Sequence, residues 1–229
     1  MFPYYAELKY KTQFSKEHLK NIAYRIFEQK DDPTVCTDFE LAVNKWKYQP
    51  NVEKVNGDNN DLALEKYPEY FDDRKLAFFE FTRFKEQFPH EYEHLIGEVF
   101  KGNFREAPLK IFFMIHGKTE MRLHRDRDRL SGINMPMYNC EITKTNFYEH
   151  KDPWMNENTT AWGYAREFVE KKDTLMMDDN TAYAFNTSAI HDVEGLDALD
   201  DSRAIFTFCF RHTNFKDLYA DLSSKGLLA

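Results

Sequence analysis

The periodicity of the chain changes from helical to strand-like at about Leu109, and this change restricts the fold more than any other feature. Four later segments are short, apolar and rich in β-branched or aromatic residues: LKIFFMI, EITKTNFY, TAYAFNT and RAIFTFCF. Turns rather than long helices separate them, which argues against a parallel sheet with crossover helices. We therefore predict a β-sandwich or jelly-roll barrel.

The first hundred residues have mainly helical patterns. Ser15 is a suitable N-cap for an apolar stripe at helical spacing that runs from Leu19 to Phe27. A similar stripe spans residues 39–46, and Pro89 is typical of a helix start. The polar, turn-rich residues 50–61 predict a surface loop. We expect the helices to pack on one face of the β structure.

The chain has 229 residues, which is enough for one domain with a substantial core. We expect a single α+β domain over residues 1–229, with a mainly β core. Its predicted parts are a mainly helical segment, 1–108, a β core, 109–212, and a C-terminal tail, 213–229.

Composition narrows the range of partners. A net charge of -8 argues against nucleic-acid binding, which depends on many Lys and Arg contacts to phosphates, and favours a small-molecule or peptide substrate. The three cysteines are far apart, so neither a disulfide framework nor a Cys-based zinc site is indicated. The start of the chain lacks a signal-peptide pattern, and no apolar run approaches the ~18 residues that span a bilayer. We expect a cytoplasmic protein without a membrane segment.

The stretch RLHRDRDRLSGINMP contains the letters HRD, which begin the catalytic loop of protein kinases. That loop requires an Asn five residues after its Asp, and here Ser131 occupies this position. Neither a Gly-rich phosphate loop nor a DFG motif is present, so the kinase interpretation is rejected. Alternating charges can also coat an exposed edge strand, and this second interpretation stays open for the stretch alone.

A second segment, AFNTSAIHDVEG, favours a third interpretation, because it also ends an apolar strand at a lone histidine. Residues i and i+2 of a strand share a face, so His124 and Asp126 can point together into a barrel. With His191 they would offer two imidazoles and one carboxylate to a metal. Three open positions then remain, an arrangement that suits non-haem Fe(II) oxygenases.

The last strand supplies a candidate anion-binding residue. Arg203 begins RAIFTFCF, and its planar guanidinium can hold a carboxylate in a bidentate manner. Strand alternation puts the three phenylalanines on one face and Arg203 on the other. Because the phenylalanine face should pack on the helices, we expect Arg203 to face the barrel interior.

Together these segments resemble the 2-oxoglutarate/Fe(II)-dependent dioxygenases, particularly small stand-alone, phage-type members related to prolyl and aspartyl/asparaginyl hydroxylases. The resemblance covers residues 110–211. It implies a double-stranded β-helix, a cupin-like jelly roll, with Fe(II) bound by the catalytic residues His124, Asp126 and His191. It also implies that Arg203 binds 2-oxoglutarate, and that O2 is used to hydroxylate a small molecule, amino acid or peptide side chain with release of succinate and CO2.

One position departs from many of these relatives. They carry a Ser or Thr two residues after the anion-binding Arg, whereas this chain has Ile205 there. A further hydrogen bond to 2-oxoglutarate would have to come from one of four residues: Thr207, Asn134, Tyr138 or Arg129. For Arg129 a contact to the substrate and a solvated surface position also stay open.

Two other classes of protein are compatible with the same residues. A cupin-like metalloenzyme could use the triad with Zn, Mn or Ni and without 2-oxoglutarate. A noncatalytic β-sandwich binding module would use none of it. His116 and His150 lie near the core segments and are alternative ligands, but an isolated histidine in a loop is more often a surface residue, and the same holds for His212 just beyond the last strand. Residues 147–164, with Trp154 and Trp162, predict a lid or an anchored loop.

Overall fold

A computed structural model describes residues 3–29, 76–100, 109–114, 121–126, 129–158, 164, 166–195 and 203–229. Within these ranges the protein is a mixed structure of two antiparallel β-sheets and a few helices. None of the helices in the described ranges combines the length and the apolar character that crossing a membrane requires.

The described residues form ten strands and five α-helices. The strands are β1 Tyr5–Lys11, β2 Leu76–Glu80, β3 Leu109–Met114, β4 Met121–His124, β5 Ser131–Tyr138, β6 Lys144–His150, β7 Val169–Leu175, β8 Thr181–Phe185, β9 Ile190–Glu194 and β10 Arg203–Phe210. The helices are α1 Lys16–Phe27, α2 Phe81–Gln87, α3 Pro89–Phe100, α4 Pro153–Asn158 and α5 Phe215–Ser224, with a 3-10 helix at Arg166–Phe168.

The strands divide between a six-stranded sheet, in the order β1-β8-β5-β10-β3-β2, and a four-stranded sheet, in the order β4-β9-β6-β7. All pairings are antiparallel. From β3 onward the chain passes repeatedly from one sheet to the other. The antiparallel β structure predicted for the second half is therefore present.

One face of the six-stranded sheet is covered by helices. Ser15 caps α1 as predicted, because its Oγ accepts a hydrogen bond from the His18 backbone N at 3.1 Å. The buried face of α1 packs with α2, α5 and the phenylalanine face of β10. The residues of this cluster from α1 and β10 are Leu19, Ile22, Ala23, Ile26, Ala204, Phe206, Phe208 and Phe210.

A second apolar cluster contains residues of both sheets and so lies between them. Ile205 of β10 is part of it, on the opposite face of the strand from the phenylalanines. The other buried members are Tyr4, Cys140, Phe147, Leu175, Met177, Tyr183 and Phe185. The inward face expected for β10 is thus the one that meets the four-stranded sheet.

Three local features differ from the sequence expectation. Residues 5–11 form β1, which pairs with β8, although we expected helical structure there. Strand β7 was not predicted. Residues 215–224, expected in a tail, form α5 with Leu218 and Leu222 buried in the helix-side cluster. The helix and loop predicted over residues 39–61, together with His116 and Trp162, lie outside the described residues.

Candidate metal centre

Two histidines face each other across neighbouring strands of the four-stranded sheet. His124 ends β4 and is the direct cross-strand partner of His191 in β9. Their ring centroids are 4.3 Å apart, and the residues are only 3% and 4% exposed. Since directly opposed residues share a face of a sheet, the antiparallel pairing itself brings the two imidazoles together.

Asp126 completes the group, although not as a strand residue. Strand β4 ends at His124, and the Asp126 backbone N instead donates to the Thr187 carbonyl at 3.0 Å. Its Oδ1 lies 3.6 Å from His124 Nε2. One possible ligand atom from each of His124, Asp126 and His191 lies within 4.8 Å of the others. The predicted triad is therefore one cluster, among the described residues.

The orientation of His191 is fixed by a backbone group. Its Nδ1 lies 2.9 Å from the Ala189 carbonyl oxygen. A carbonyl can only accept, so Nδ1 carries the proton and Nε2 keeps its lone pair. Burial, and then the neighbouring His124, lower the pKa of His191 to about 3. The ring is therefore neutral at physiological pH, which is the form that binds metal.

Asp126 is held in its charged form. Burial alone would raise its pKa, but the positive charge of Arg129 and the nearby His124 outweigh burial and hold the pKa far below its usual value. Arg129 donates from Nε to Asp126 Oδ2 at 2.5 Å. The carboxylate needed by a hard or borderline metal is thus present without a deprotonation step.

Arg203 lies deep in the protein, with 3% exposure, on the face of β10 that carries Ile205. Its positive charge acts on the thiol of Cys140, where it opposes the burial that raises the Cys140 pKa to about 12. At ~3.3 Å per strand residue, Arg203 is roughly 13 Å along β10 from Thr207. A ligand that reaches both the triad and Arg203 would extend along the space between the sheets.

Of the four candidates for a further contact to 2-oxoglutarate, three lie together and one lies elsewhere. Arg129, Thr207 and Asn134 are connected, because Arg129 Nη1 donates to Thr207 Oγ1 at 3.0 Å and Thr207 Oγ1 donates to Asn134 Oδ1 at 2.6 Å. Thr207 and Asn134 are cross-strand partners on β10 and β5. This connected set ends at Asp126 and is therefore adjacent to the triad.

Tyr138 was placed wrongly as a candidate for this site. Its ring packs beside Tyr24 of α1, with centroids 5.7 Å apart, on the helix side of the sheet. The β5–β10 register shifts so that Tyr138 pairs with Ala204 while Pro136 pairs with Ile205. One extra residue in β5 turns the following side chain to the other face.

The remaining histidines do not join the cluster among the described residues. His150 is buried at the end of β6, where its Nδ1 accepts a hydrogen bond from the Asp152 backbone N at 3.0 Å. His212 is exposed just beyond β10. His212 is thus exposed as expected, whereas His150 was expected at the surface and is instead buried.

A buried polar group behind the triad was not predicted. Asp192 follows His191 and points to the opposite face of β9. Its carboxylate accepts hydrogen bonds from Asn146 Nδ2 at 2.9 Å and Tyr148 OH at 3.0 Å, and Arg166 Nη2 lies 3.1 Å away. Strand alternation could have assigned Asp192 to this face, but its partners come from β6 and the 3-10 helix and are distant in sequence.

No family model matches the chain, and no curated protein matches it. Solved structures similar to the chain include the following two. A Pseudomonas putida prolyl-4-hydroxylase aligns with a TM-score of 0.43 and 10% identity, over 91% of this chain and 93% of its own. E. coli ycfD aligns with a TM-score of 0.39 and 12% identity, over 65% of this chain and 37% of its own. The chain thus spans just over a third of the length of ycfD, and at these TM-scores neither similarity bears on the site or the activity.

Proposed function

We propose that the protein is an Fe(II)- and 2-oxoglutarate-dependent dioxygenase that hydroxylates a small molecule, amino acid or peptide side chain. The observation that carries the proposal is the cluster of His124, Asp126 and His191 between two antiparallel sheets. The repeated passage of the chain between the two sheets from β3 to β10 supports a double-stranded β-helix, the jelly roll that was expected for residues 109–212.

The residues of the cluster fit Fe(II). Two imidazoles and one carboxylate form the donor set of non-haem iron oxygenases, and they leave coordination positions for other ligands. His191 presents Nε2 because Nδ1 is bound to the Ala189 carbonyl. Asp126 is charged and His191 is neutral, so neither group must lose a proton before it binds a metal.

Bound Fe(II) with 2-oxoglutarate and O2 would supply the oxidation of a substrate C–H bond, with succinate and CO2 as products. The protein supplies binding and orientation. Arg203 would hold the far carboxylate of 2-oxoglutarate in a dry part of the interior, where a guanidinium remains charged and binds in a bidentate manner. The apolar residues between the sheets would exclude water around it.

The rival with the same ligands is a cupin-like metalloenzyme without 2-oxoglutarate. The inward position of Arg203 favours the oxygenase, because a guanidinium on this face of β10 can bind the far carboxylate of 2-oxoglutarate in a bidentate manner. The noncatalytic binding module is disfavoured by the cluster itself. A binding module without a metal does not require three buried or half-buried ligand groups to lie together.

The test is succinate formation from 2-oxoglutarate by protein loaded with Fe(II) under anaerobic conditions and then exposed to O2. Free amino acids and peptides are screened as substrates, and His191→Ala is the matched control. We expect succinate with the wild-type protein and background succinate with the control. Metal binding without any effect of 2-oxoglutarate would favour the cupin-like alternative, and the absence of metal binding would favour the binding module.

A further inference from the structure

The side chain of Arg129 is fixed on several sides. Its Nε contacts Asp126, its Nη1 contacts Thr207, and its carbonyl accepts from Thr187 Oγ1 at 2.9 Å. Gly132 lies beside it: a Cβ there would be 3.4 Å from Arg129 Nη1, an ordinary contact, and 3.0 Å from the Phe208 carbonyl oxygen, a tight one. Arg129 is therefore a built part of the site and not a solvated strand-end charge.

The hydroxyl of Thr207 determines which groups donate and which accept in these hydrogen bonds. A hydroxyl has one proton, and a guanidinium can only donate. Arg129 Nη1 therefore donates to Thr207, and Thr207 donates its single proton to Asn134 Oδ1. Both Thr207 and Asn134 are buried. Thr207 consequently has no second proton to offer to a carboxylate of 2-oxoglutarate.

The two carboxylate oxygens of Asp126 have different neighbours. Oδ2 accepts the hydrogen bond from Arg129, while Oδ1 lies 3.6 Å from His124 Nε2. Only Oδ1 is thus directed toward the histidine ligands. The Asp126 backbone, bound to the Thr187 carbonyl, prevents the residue from turning as a whole. Groups that orient a metal ligand in this way tune metal affinity by ~10- to 100-fold.

We propose that Asn134, Thr207 and Arg129 form a positioning chain that fixes Asp126 as a one-oxygen metal ligand, and that Thr207 and Asn134 do not bind 2-oxoglutarate. The inference rests on the metal role proposed above. It assigns these three residues to metal binding and leaves Arg203 as the residue that binds the co-substrate.

The test compares Thr207→Val, which removes the hydroxyl, with Thr207→Ser, which keeps it. Mn(II) replaces Fe(II) because it is stable in air, and its dissociation constant is measured by calorimetry and by its paramagnetic resonance spectrum. We expect Thr207→Val to weaken Mn(II) binding by ~10-fold, and Thr207→Ser to restore most of the affinity. The affinity for 2-oxoglutarate, measured at saturating Mn(II), should stay within about twofold of wild type.

Arg129→Lys gives an independent measurement if Thr207→Val does not fold. A lysine keeps the charge but cannot contact Asp126 and Thr207 together, so we expect the same ~10-fold loss of Mn(II) affinity. Unchanged Mn(II) binding with weaker 2-oxoglutarate binding in either variant would overturn the positioning chain. Failure of the wild-type protein to bind Mn(II) would instead refute the proposed metal site, so the two failures are distinguishable.

Discussion

His124 and His191 stand directly opposite each other on β4 and β9, with ring centroids 4.3 Å apart. Their separation is set by strand pairing, and the ring of His191 is set by the Ala189 carbonyl. Folding alone therefore preorganises two of the three proposed ligands. Asp126, the third proposed ligand, lies in a loop after β4. This loop residue is held by the Thr187 carbonyl and by the positioning chain.

The first prediction concerns the triad. His124→Ala, Asp126→Ala and His191→Ala should each weaken Mn(II) binding by more than about 100-fold, since loss of a ligand costs more than loss of a residue that orients one. Calorimetry measures the affinity, and far-ultraviolet circular dichroism checks the fold. His212→Ala is the control, because this histidine is exposed and outside the cluster. Wild-type affinity in a triad variant would exclude that residue as a ligand.

The second prediction concerns Arg203. Breaking a desolvated charge pair costs ~2 to 5 kcal/mol, so Arg203→Ala should weaken 2-oxoglutarate binding by about 30-fold or more. Arg203→Lys should recover only part of this loss, because an ammonium lacks the bidentate fork. Calorimetry with the anaerobic, metal-loaded protein measures both variants.

Mn(II) affinity should stay near the wild-type value in both Arg203 variants. The exposed Arg211→Ala serves as the control for removal of a positive charge at the other end of β10. Unchanged 2-oxoglutarate affinity in Arg203→Ala would remove the role proposed for this residue. A metal-dependent protein with another substrate would then be the better account.

Strand alternation was sufficient to predict the two faces of β10. Phe206, Phe208 and Phe210 pack on the helices, and Ile205 lies between the sheets, as the sequence indicates. The same rule failed for Tyr138, because one extra residue in β5 reverses the alternation. A bulge depends on the partner strand, so the sequence of β5 alone does not reveal it.

Contacts between segments that are distant in the chain also could not be predicted from the sequence. Residues 6–11, AELKYK, alternate apolar and polar residues, which is typical of a strand, but the sequence does not show that this strand pairs with β8 about 170 residues later or more. The positioning chain joins Arg129, Asn134 and Thr207, whose side chains meet only after β5 and β10 have paired. The residues of the site could be predicted from the sequence. Which of them orient Asp126 and which bind 2-oxoglutarate could be proposed only from the hydrogen bonds between them.

The third prediction concerns the buried carboxylate behind the triad. Asp192→Ala would leave the donors of Asn146 and Tyr148 buried without their acceptor, at a cost of ~1 to 3 kcal/mol for each donor in the free energy of unfolding. Arg166 is 53% exposed, so water screens its ion pair, and Arg166→Ala should cost ~1 kcal/mol or less. Urea denaturation measures both variants. Equal losses would contradict this distinction between hydrogen bonding and surface charge.

The fourth prediction concerns a carboxyl pair in the turns before β6 and β8. Asp179 is buried, accepts a hydrogen bond from the Cys140 backbone N at 3.2 Å, and lies 3.8 Å from Lys16 Nζ. Lys16 Nζ is also 3.3 Å from Glu141 Oε1. Burial, followed by the hydrogen bond and charge of Glu141, raises the Asp179 pKa to about 7, while the hydrogen bond with Asp179 lowers that of Glu141. The two groups therefore share a proton near neutral pH.

The direction of the pH effect follows from the raised pKa of Asp179. The folded protein holds a proton that the unfolded chain, with an Asp pKa of ~3.9, releases at lower pH. The stabilising contribution of this proton is complete below about pH 4 and is lost as the pH rises to about 7.

Asp179→Asn keeps an acceptor for the Cys140 backbone N but cannot titrate. Relative to wild type, this variant should therefore gain at least ~1 kcal/mol in the free energy of unfolding between pH 5 and pH 8. Urea denaturation at both pH values measures the difference, and Asp178→Asn, at an exposed position in the same turn, is the control. A difference between Asp179→Asn and wild type that is the same at pH 5 and pH 8 would show that Asp179 does not hold this proton.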